Sequence, residues 1–565
     1  MSKNNRGAVK ASVRSPVTSE ERPSGRTALG APGYSRDVQS ELFLLAACNL
    51  PGEKAFHEGA DERVRRFRDL VREATAVSPD WTAGLLGWLR GPGNLRLAPV
   101  EAAAEFAWAR RDEAGTGRDK DVTVHARQVV NSVLQRADEP GEIIAYWLAR
   151  YGRKMPIGFK RGIADAVQRL YTERSLLKWD TAEASVRFGD VIELVQPRYH
   201  GKTYGTWQDA LYRHAIERRH SRDNEIPGAL ATLRAHARLM ALPVAERRAI
   251  IGSADASEGV RHAAAETLRE AGMTWESLAG WLQGPMDAAA WMTILPSMRF
   301  MARLRNLRNF DQAGLPDDVA EGIARSFTDP AEVANSRQFP FRFLAAYKAV
   351  PSLRWAYPLE KALNLSLANV PALDGRTLIL VDRSPSMWGQ KFSERSDMLW
   401  ADGAAIFGAA LALRADSADL VEFWAGSKAV QFRKAESVLK LVERFSYQPA
   451  PGGTDIPSAV RTHLRPEHTR VVIVTDEQTR PGYLPSNMYG IGGYRGMPET
   501  LIDDLIPRNA PLYLWNFGGY KHGATPSGQQ NRHTFGGLTD AAFRMIPLLE
   551  SGHDSGWPWE HPEAG

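Results

Sequence analysis

Over residues 38–370 apolar side chains recur at helical spacing and almost no segment alternates as a strand would, so more than half of this chain must fold as packed helices. ERVRRFRDLVREAT at 62–75 shows the pattern, with Val64, Phe67, Leu70 and Val71 on one face. Similar runs follow at 81–90, 100–111, 125–137, 142–152, 158–172, 189–197, 207–219, 228–240, 263–272, 294–310 and 339–350, separated by short Pro- and Gly-containing breaks. Helix pairs at this spacing predict an α-solenoid of HEAT-like units, each pair burying its face against the next, although no strict period survives. The character changes at 371–550, where strands at 377–383, 419–424, 471–476 and 512–517 alternate with helices at 398–415 and 436–445. That order predicts a Rossmann-like, doubly wound sheet. The expected fold class is therefore α + α/β multidomain: a helical repeat array at 38–370 and an α/β domain at 371–550. A disordered basic tail at 1–37 and a short tail at 551–565 complete it, with irregular stretches at 482–497 and 523–537.

The α/β part carries the most specific chemistry. LILVDRSPSM at 378–387 reads as a buried strand ending on Asp382, with Ser384 and Ser386 at alternate positions after it. GGTD at 452–455 offers Thr454, and VVIVTDE at 471–477 delivers Asp476 at the end of another strand. Open α/β sheets bind ligands at the carboxyl ends of their strands, so the three segments can converge there. Carboxylate and hydroxyl oxygens are hard ligands that suit Mg²⁺ or Mn²⁺ with a position left open for an outside carboxylate or phosphate. Each piece alone is weak, since an Asp at a strand end is usually a helix N-cap; their order and context carry the signal. Together they resemble the metal-ion-dependent adhesion site (MIDAS) of von Willebrand factor A domains. Arg383 departs from that pattern, because its cation can repel a metal or pair with the neighbouring carboxylate. Pro385 stiffens the loop, and Glu477 offers a compensating charge.

A single cysteine, Cys48, excludes an intramolecular disulfide and any cysteine-rich zinc site, and a cytoplasmic location is expected. No apolar run is long enough to span a bilayer, and the first residues lack the apolar core of a signal peptide, so no membrane partner is expected. The net charge of +5 is concentrated: residues 1–36 hold seven Lys/Arg against two Asp/Glu, whereas 37–375 hold 45 against 43 and 376–565 hold 19 against 21. A nucleic-acid surface on the body must then come from cations gathered on one face.

Several segments of the helical part occur in a telling order: GEKAFHEG (52–59) with DERVRRF (61–67), GNLRLAPVEAAAE (93–105), GFKRGIADAV (158–167), DVIELVQPR (190–198), LRNLRNF (304–310) and SRQFPFRFLAAYK (336–348). With the A-type domain behind them they resemble the Ro autoantigen family, the TROVE-module proteins that bind small noncoding Y RNAs. The resemblance covers about 38 to 550. It implies a helical ring held shut by the A domain, with Y RNA on an outer basic surface and single-stranded 3′ ends of misfolded RNA in a central hole. It also implies a further partner, polynucleotide phosphorylase or another exonuclease, to which RNA is presented.

The residues permit that physics. Arg150, Arg153, Lys154, Lys160, Arg161 and Arg169 fall in two neighbouring helices and the turn between them, where they can contact phosphates in a salt-dependent, sequence-tolerant way. Tyr151, Phe159 and Tyr171 are interleaved; they suit base stacking, but core packing is the more ordinary role. Arg299, Arg303, Arg305 and Arg308 recur at steps that crowd one side of a helix, and are assigned to the lumen. The segment at 190–198 adds Gln196 and Arg198, with His200 just beyond. Many relatives have His-Pro where this chain has Gln196-Pro197, and again near Gln338. Gln can hydrogen-bond a base or phosphate but cannot become cationic.

The leading expectation is a noncoding-RNA-binding ring (Y RNA-like and misfolded RNA) acting in RNA quality control or stress response. The alternative is a metal-dependent protein-adhesion scaffold without an essential RNA role. An enzyme is not expected: the histidines are scattered without HExxH, and no nucleophile–base pair is evident.

Overall fold

The computed structural model describes residues 13–48, 55–111, 120–197, 206–222, 225–350, 352–368, 370–392, 398–446, 452–483, 499–537, 543 and 545–560. The array begins with α1 (Val38–Cys48), α2 (Ala60–Val77), α3 (Pro79–Arg90), α4 (Leu97–Ala109), α5 (Lys120–Val133), α6 (Glu139–Tyr151) and α7 (Ile157–Leu170). α2, α4 and α6 pack in one row while α3, α5 and α7 pack in a second, the two-layer stacking expected of HEAT-like units. On α7, Phe159, Gly162, Ile163, Ala166 and Val167 are buried, whereas Ile157, Arg161 and Arg169 face solvent. Glycine at 162 is needed because an added Cβ would lie 2.7 Å from the Arg127 carbonyl oxygen and from Val130 Cβ, so it lets α5 and α7 approach.

The helix expected over 294–310 is interrupted. A 3-10 turn at Leu295–Ser297 separates Ala288–Ile294 from Phe300–Gln312, because Pro296 cannot continue the helical ladder. Arg299 is therefore the N-cap residue of the second helix, and only Arg303, Arg305 and Arg308 lie within it. The array continues through Pro340–Ala349 to Ala356–Leu365.

The sheet domain contains β3 (Leu373–Asp382), β4 (Ala415–Phe423), β5 (Ser427–Ala429), β6 (His468–Thr475), β9 (Leu512–Asn516) and β11 (Arg532–Gly536); β7 (Gly482–Tyr483) pairs with β8 (Glu499–Thr500) in a separate ribbon. The six strands of the main sheet run in the order β11-β9-β6-β3-β4-β5, all parallel except the β5 edge. Period-two alternation builds both faces. Leu378 and Leu380 pack with Ile456 and Val460 on one side, while Ile379 and Val381 join the core beneath the buried helix Trp400–Arg414. That second face is continuous with the core of the helical array. The chain passes from β3 to β4 on one side and later inserts β6 on the other, so a topological switch point lies between β3 and β6.

The sheet domain joins both ends of the array. At the first end, Arg63 and Arg66 of α2 donate to the carbonyls of Gly518 (2.7 Å) and Gly519 (2.9 Å), just after β9. At the far end, Phe341 stacks on Phe392 with ring centroids 4.2 Å apart, and Lys348 pairs with Asp402 at 2.8 Å. The array is thereby closed into a ring.

Two expectations of irregularity are corrected. The leader is ordered from residue 13: β1 (Gly25–Arg26) pairs with β2 (Pro32–Ser35), and β2 pairs with β10 (His522–Gly523). Val13, Val17 and Tyr34 are buried, a handful of anchors that its polar composition concealed. The stretch at 523–537 supplies β11, hidden because RHTFG is short and polar at its start. Residues 551–560 have no helix or strand but are docked through Trp557 and Trp559, which stack on each other at 5.4 Å and pack against Trp81 and Phe43.

Candidate metal centre and nucleic-acid interface

β3 and β6 end side by side, which sets Asp382 and Asp476 at the switch point. Asp382 is fully buried; its Oδ1 accepts from Ser384 N (2.8 Å) and its Oδ2 from Thr475 Oγ1 (2.5 Å). The hydroxyls of Ser384 and Ser386 are 3.1 Å apart. Thr454 is buried and tied to the loop after Asp476, its carbonyl accepting from Thr479 Oγ1 and Arg480 N. Asp476 Oδ1 accepts from Gln478 N (3.1 Å), while its buried Oδ2 has no hydrogen-bond partner. Burial raises the pKa of both carboxyls, and the Asp382 charge pushes Asp476 up further.

Among the described residues no three His, Cys, Asp or Glu side chains gather as a metal group. The donor set is instead two carboxylates with neighbouring hydroxyls, one carboxylate oxygen orphaned. This fits a hard divalent cation that retains water, because a buried acceptor without a donor is costly and a cation would satisfy it.

Arg383 is turned to other work. Its guanidinium donates to the carbonyls of Ala401 and Ser446 and lies 4.4 Å over the Trp388 ring, while its charge still lowers the pKa of Asp382. Glu477, expected as a spare negative charge, is committed elsewhere. It is fully buried with φ of +66° and accepts from Arg36 Nη2 (2.6 Å), Ala524 N (2.8 Å) and Asn516 Nδ2. Sequence reasoning missed this use of the leader, and a lone Arg in a polar segment gives no signal for it. Thr27 Oγ1 donates to the Thr479 carbonyl (2.6 Å) and Ala28 N to Gln478 Oε1 (2.7 Å), so residues 27–36 strap across the loop that follows Asp476.

The structure divides the expected RNA residues. Arg153, Lys154 and Arg161 are exposed and Lys160 partly so; none of these side chains is hydrogen-bonded or ion-paired among the described residues. Arg150 instead sits 3.7 Å from Glu105 and over the Tyr146 ring, and Arg169 donates to the Leu134 carbonyl (2.7 Å) at the end of α5. Gln196 is exposed at the left-handed C-cap of the helix Phe188–Val195. Arg198 and His200 lie outside the described residues. Phe159 is core, and Tyr171 is buried and stacked on Phe188 at 3.8 Å.

Arg299, Arg305 and Arg308 are exposed, and none of the four arginines at 299–308 has a carboxylate partner among the described residues. Arg342, on the next packed helix, adds a cation the sequence reading passed over; burial and Arg305 both lower its pKa. Ser–His pairs also occur, among them Ser427 Oγ to His463 Nε2 at 2.9 Å. The nearby Asp419, however, is taken by Arg376 and His468.

Residues 270–400 match the family model of the TROVE domain, a span that includes Arg299–Arg308, Arg342 and Asp382–Ser386. The structure is similar to that of the Ro (RSR) protein of Deinococcus radiodurans, with 16% identity, a TM-score of 0.58, and coverage of 91% of this chain and 100% of that one. No curated protein matches the sequence. Residues 270–400 thus carry the TROVE-domain match, and the chain as a whole shares the fold of that Ro protein.

Proposed function

We propose that this protein binds noncoding RNA and does no chemistry on it. The observation that carries this reading is the set of cations without a carboxylate partner among the described residues. In a body whose positive and negative residues nearly balance, Arg153, Lys154, Lys160 and Arg161 cluster on one turn and helix, and Arg299–Arg308 cluster with Arg342 on another pair. Like charges held together without carboxylates repel, and a polyanion relieves that repulsion while releasing its own counterions. The finer reading is that the α6–α7 surface takes a structured, Y RNA-like molecule and the second cluster takes a single-stranded 3′ end. Such a ring would act in RNA quality control or stress response by presenting RNA to an exonuclease such as polynucleotide phosphorylase. The test is purification from the native host. A small RNA is expected to co-purify, and to be released progressively between roughly 0.1 and 0.5 M salt. A protein free of RNA that also ignores structured RNA with a single-stranded tail at low salt would remove the proposal.

The orphaned Asp476 Oδ2 supports a second property, a Mg²⁺ or Mn²⁺ site offering an open position to a partner's carboxylate. Asp382, Ser384, Ser386, Thr454 and Asp476 would hold the ion. A cation at a hundredfold excess over its Kd is expected to stabilise the protein by about 2.7 kcal/mol, read as a rise in Tm. Asp382→Asn should abolish that rise while leaving RNA affinity within about twofold of the parent, since no expected RNA residue lies at this edge. An equal rise in the variant would place the ion elsewhere. No helix among the described residues is long and apolar enough to cross a membrane.

A further inference from the structure

A groove of about 460 Å³ opens between α4, α5, α6 and the start of α7, and Trp108, Arg111, Tyr151, Lys154 and Ile157 are among its lining residues. Its floor is a three-layer stack. Tyr151 lies face to face with Trp108 at 3.8 Å and 12°, and the Arg111 guanidinium covers the ring of Trp108 at 3.5 Å. Each layer is fixed. Tyr151 OH donates to Glu105 (2.6 Å) and accepts from Arg72 (2.6 Å), and Arg111 Nη1 donates to the Trp108 carbonyl (2.7 Å). A planar cation is thereby held flat at the end of an aromatic column and lines an open groove. No carboxylate side chain is among the lining residues, whereas Arg110 and Lys154 are, and Ile157 is left 62% exposed at the rim.

We propose that this groove binds one unpaired nucleobase of the RNA, received as the next layer on the Tyr151–Trp108–Arg111 column. The inference rests on the RNA-binding reading above and adds to it a sequence-tolerant, single-strand-selective contact. The chemistry argues for a nucleotide. A flat, apolar-faced ring matches the guanidinium plane and Ile157, while a flanking phosphate matches Lys154, which belongs both to this groove and to the cationic surface of α6 and α7. A volume of this size lies within the roughly 300–1,000 Å³ of ordinary small-ligand sites. A neutral aromatic side chain from a protein would bring no anion to the exposed Lys154, and a duplex could not reach the column without unstacking a base.

The test uses the full chain and a structured RNA with a single-stranded tail carrying 4-thiouridine, with the same RNA fully paired as control. Photo-crosslinks are expected in the peptides bearing Trp108, Arg111 or Tyr151, with quenching of tryptophan fluorescence. Arg111→Ala is expected to lower affinity for the tailed RNA about tenfold and to leave the paired control unchanged. Arg111→Lys, which keeps the charge and loses the plane, should lose most of that affinity while keeping the salt slope. Ile157→Asp, at an exposed position that does not threaten folding, should weaken the tailed RNA alone. Crosslinks confined to other peptides, or Arg111→Lys binding as the parent does, would overturn the proposal. Parent protein that binds neither RNA would instead overturn the RNA-binding reading on which it rests.

Discussion

Reversing the charge at two adjacent positions of one helix, Lys160→Glu with Arg161→Glu, is expected to weaken RNA binding about tenfold or more at physiological salt, and to lower the slope of log K against log salt by roughly 1–2. Both residues sit on the solvent side of α7, whose opposite side holds Phe159, Ile163 and Val167 in the core, so the change leaves the packing alone. Neither side chain has an ion-pair or hydrogen-bond partner to lose among the described residues, which separates them from Arg150 and Arg169. The same reversal at Arg169 would break its donation to the Leu134 carbonyl and confuse stability with binding. Titrating a fluorescent RNA at several salt concentrations gives both affinity and slope. Lower affinity with an unchanged slope would mean that α7 touches the RNA without meeting its phosphates. An unchanged affinity would move the interface off this helix.

How far such residues can be read without coordinates depends on whether their role is local. The helical periodicity of ERVRRFRDLVREAT and the apolar strand before Asp382 are local patterns, so the two-part architecture and the convergence on one sheet edge were legible. The proximity of Asp382 and Asp476 follows from strand order, because the ends of β3 and β6 must be neighbours if the sheet is doubly wound. The roles of single arginines were not legible. Arg150 and Lys154 look alike in sequence, yet one faces Glu105 on α4 and the other faces solvent, a difference set by which helix packs above. Arg111 escaped notice for the same reason: its stacking on Trp108 depends on the turn that ends α4. Residues 13–36 were misread because disorder was inferred from average composition, whereas order there comes from a few long-range contacts.

The most consequential of those contacts is Arg36 with Glu477, whose side chains are 1% and 0% exposed and 2.6 Å apart. Arg36→Met is expected to destabilise the protein by about 3–5 kcal/mol, because it leaves a carboxylate buried without its cation. The cost is hard to relax. Glu477 holds a left-handed backbone at φ +66°, and the pair packs against bare glycine at 523, where an added Cβ would sit 2.5 Å from Arg36 and 2.7 Å from Glu477. Adding Glu477→Gln should recover much of the loss, since a neutral amide oxygen can still accept from Ala524 N and no charge is stranded. A thermal or denaturant melt of the parent, both single variants and the double variant separates the coupling from general packing. If Arg36→Met melts within about 1 kcal/mol of the parent, the strap does not hold the sheet edge and its course over the Asp476 loop is incidental. If the double variant is no better than Arg36→Met alone, the loss is one of packing around the arginine stem. In the remaining case the leader is a structural part of the sheet edge at which Asp382, Ser384, Ser386 and Asp476 lie at most 3% exposed, and it holds that edge through Glu477, Gln478 and Thr479.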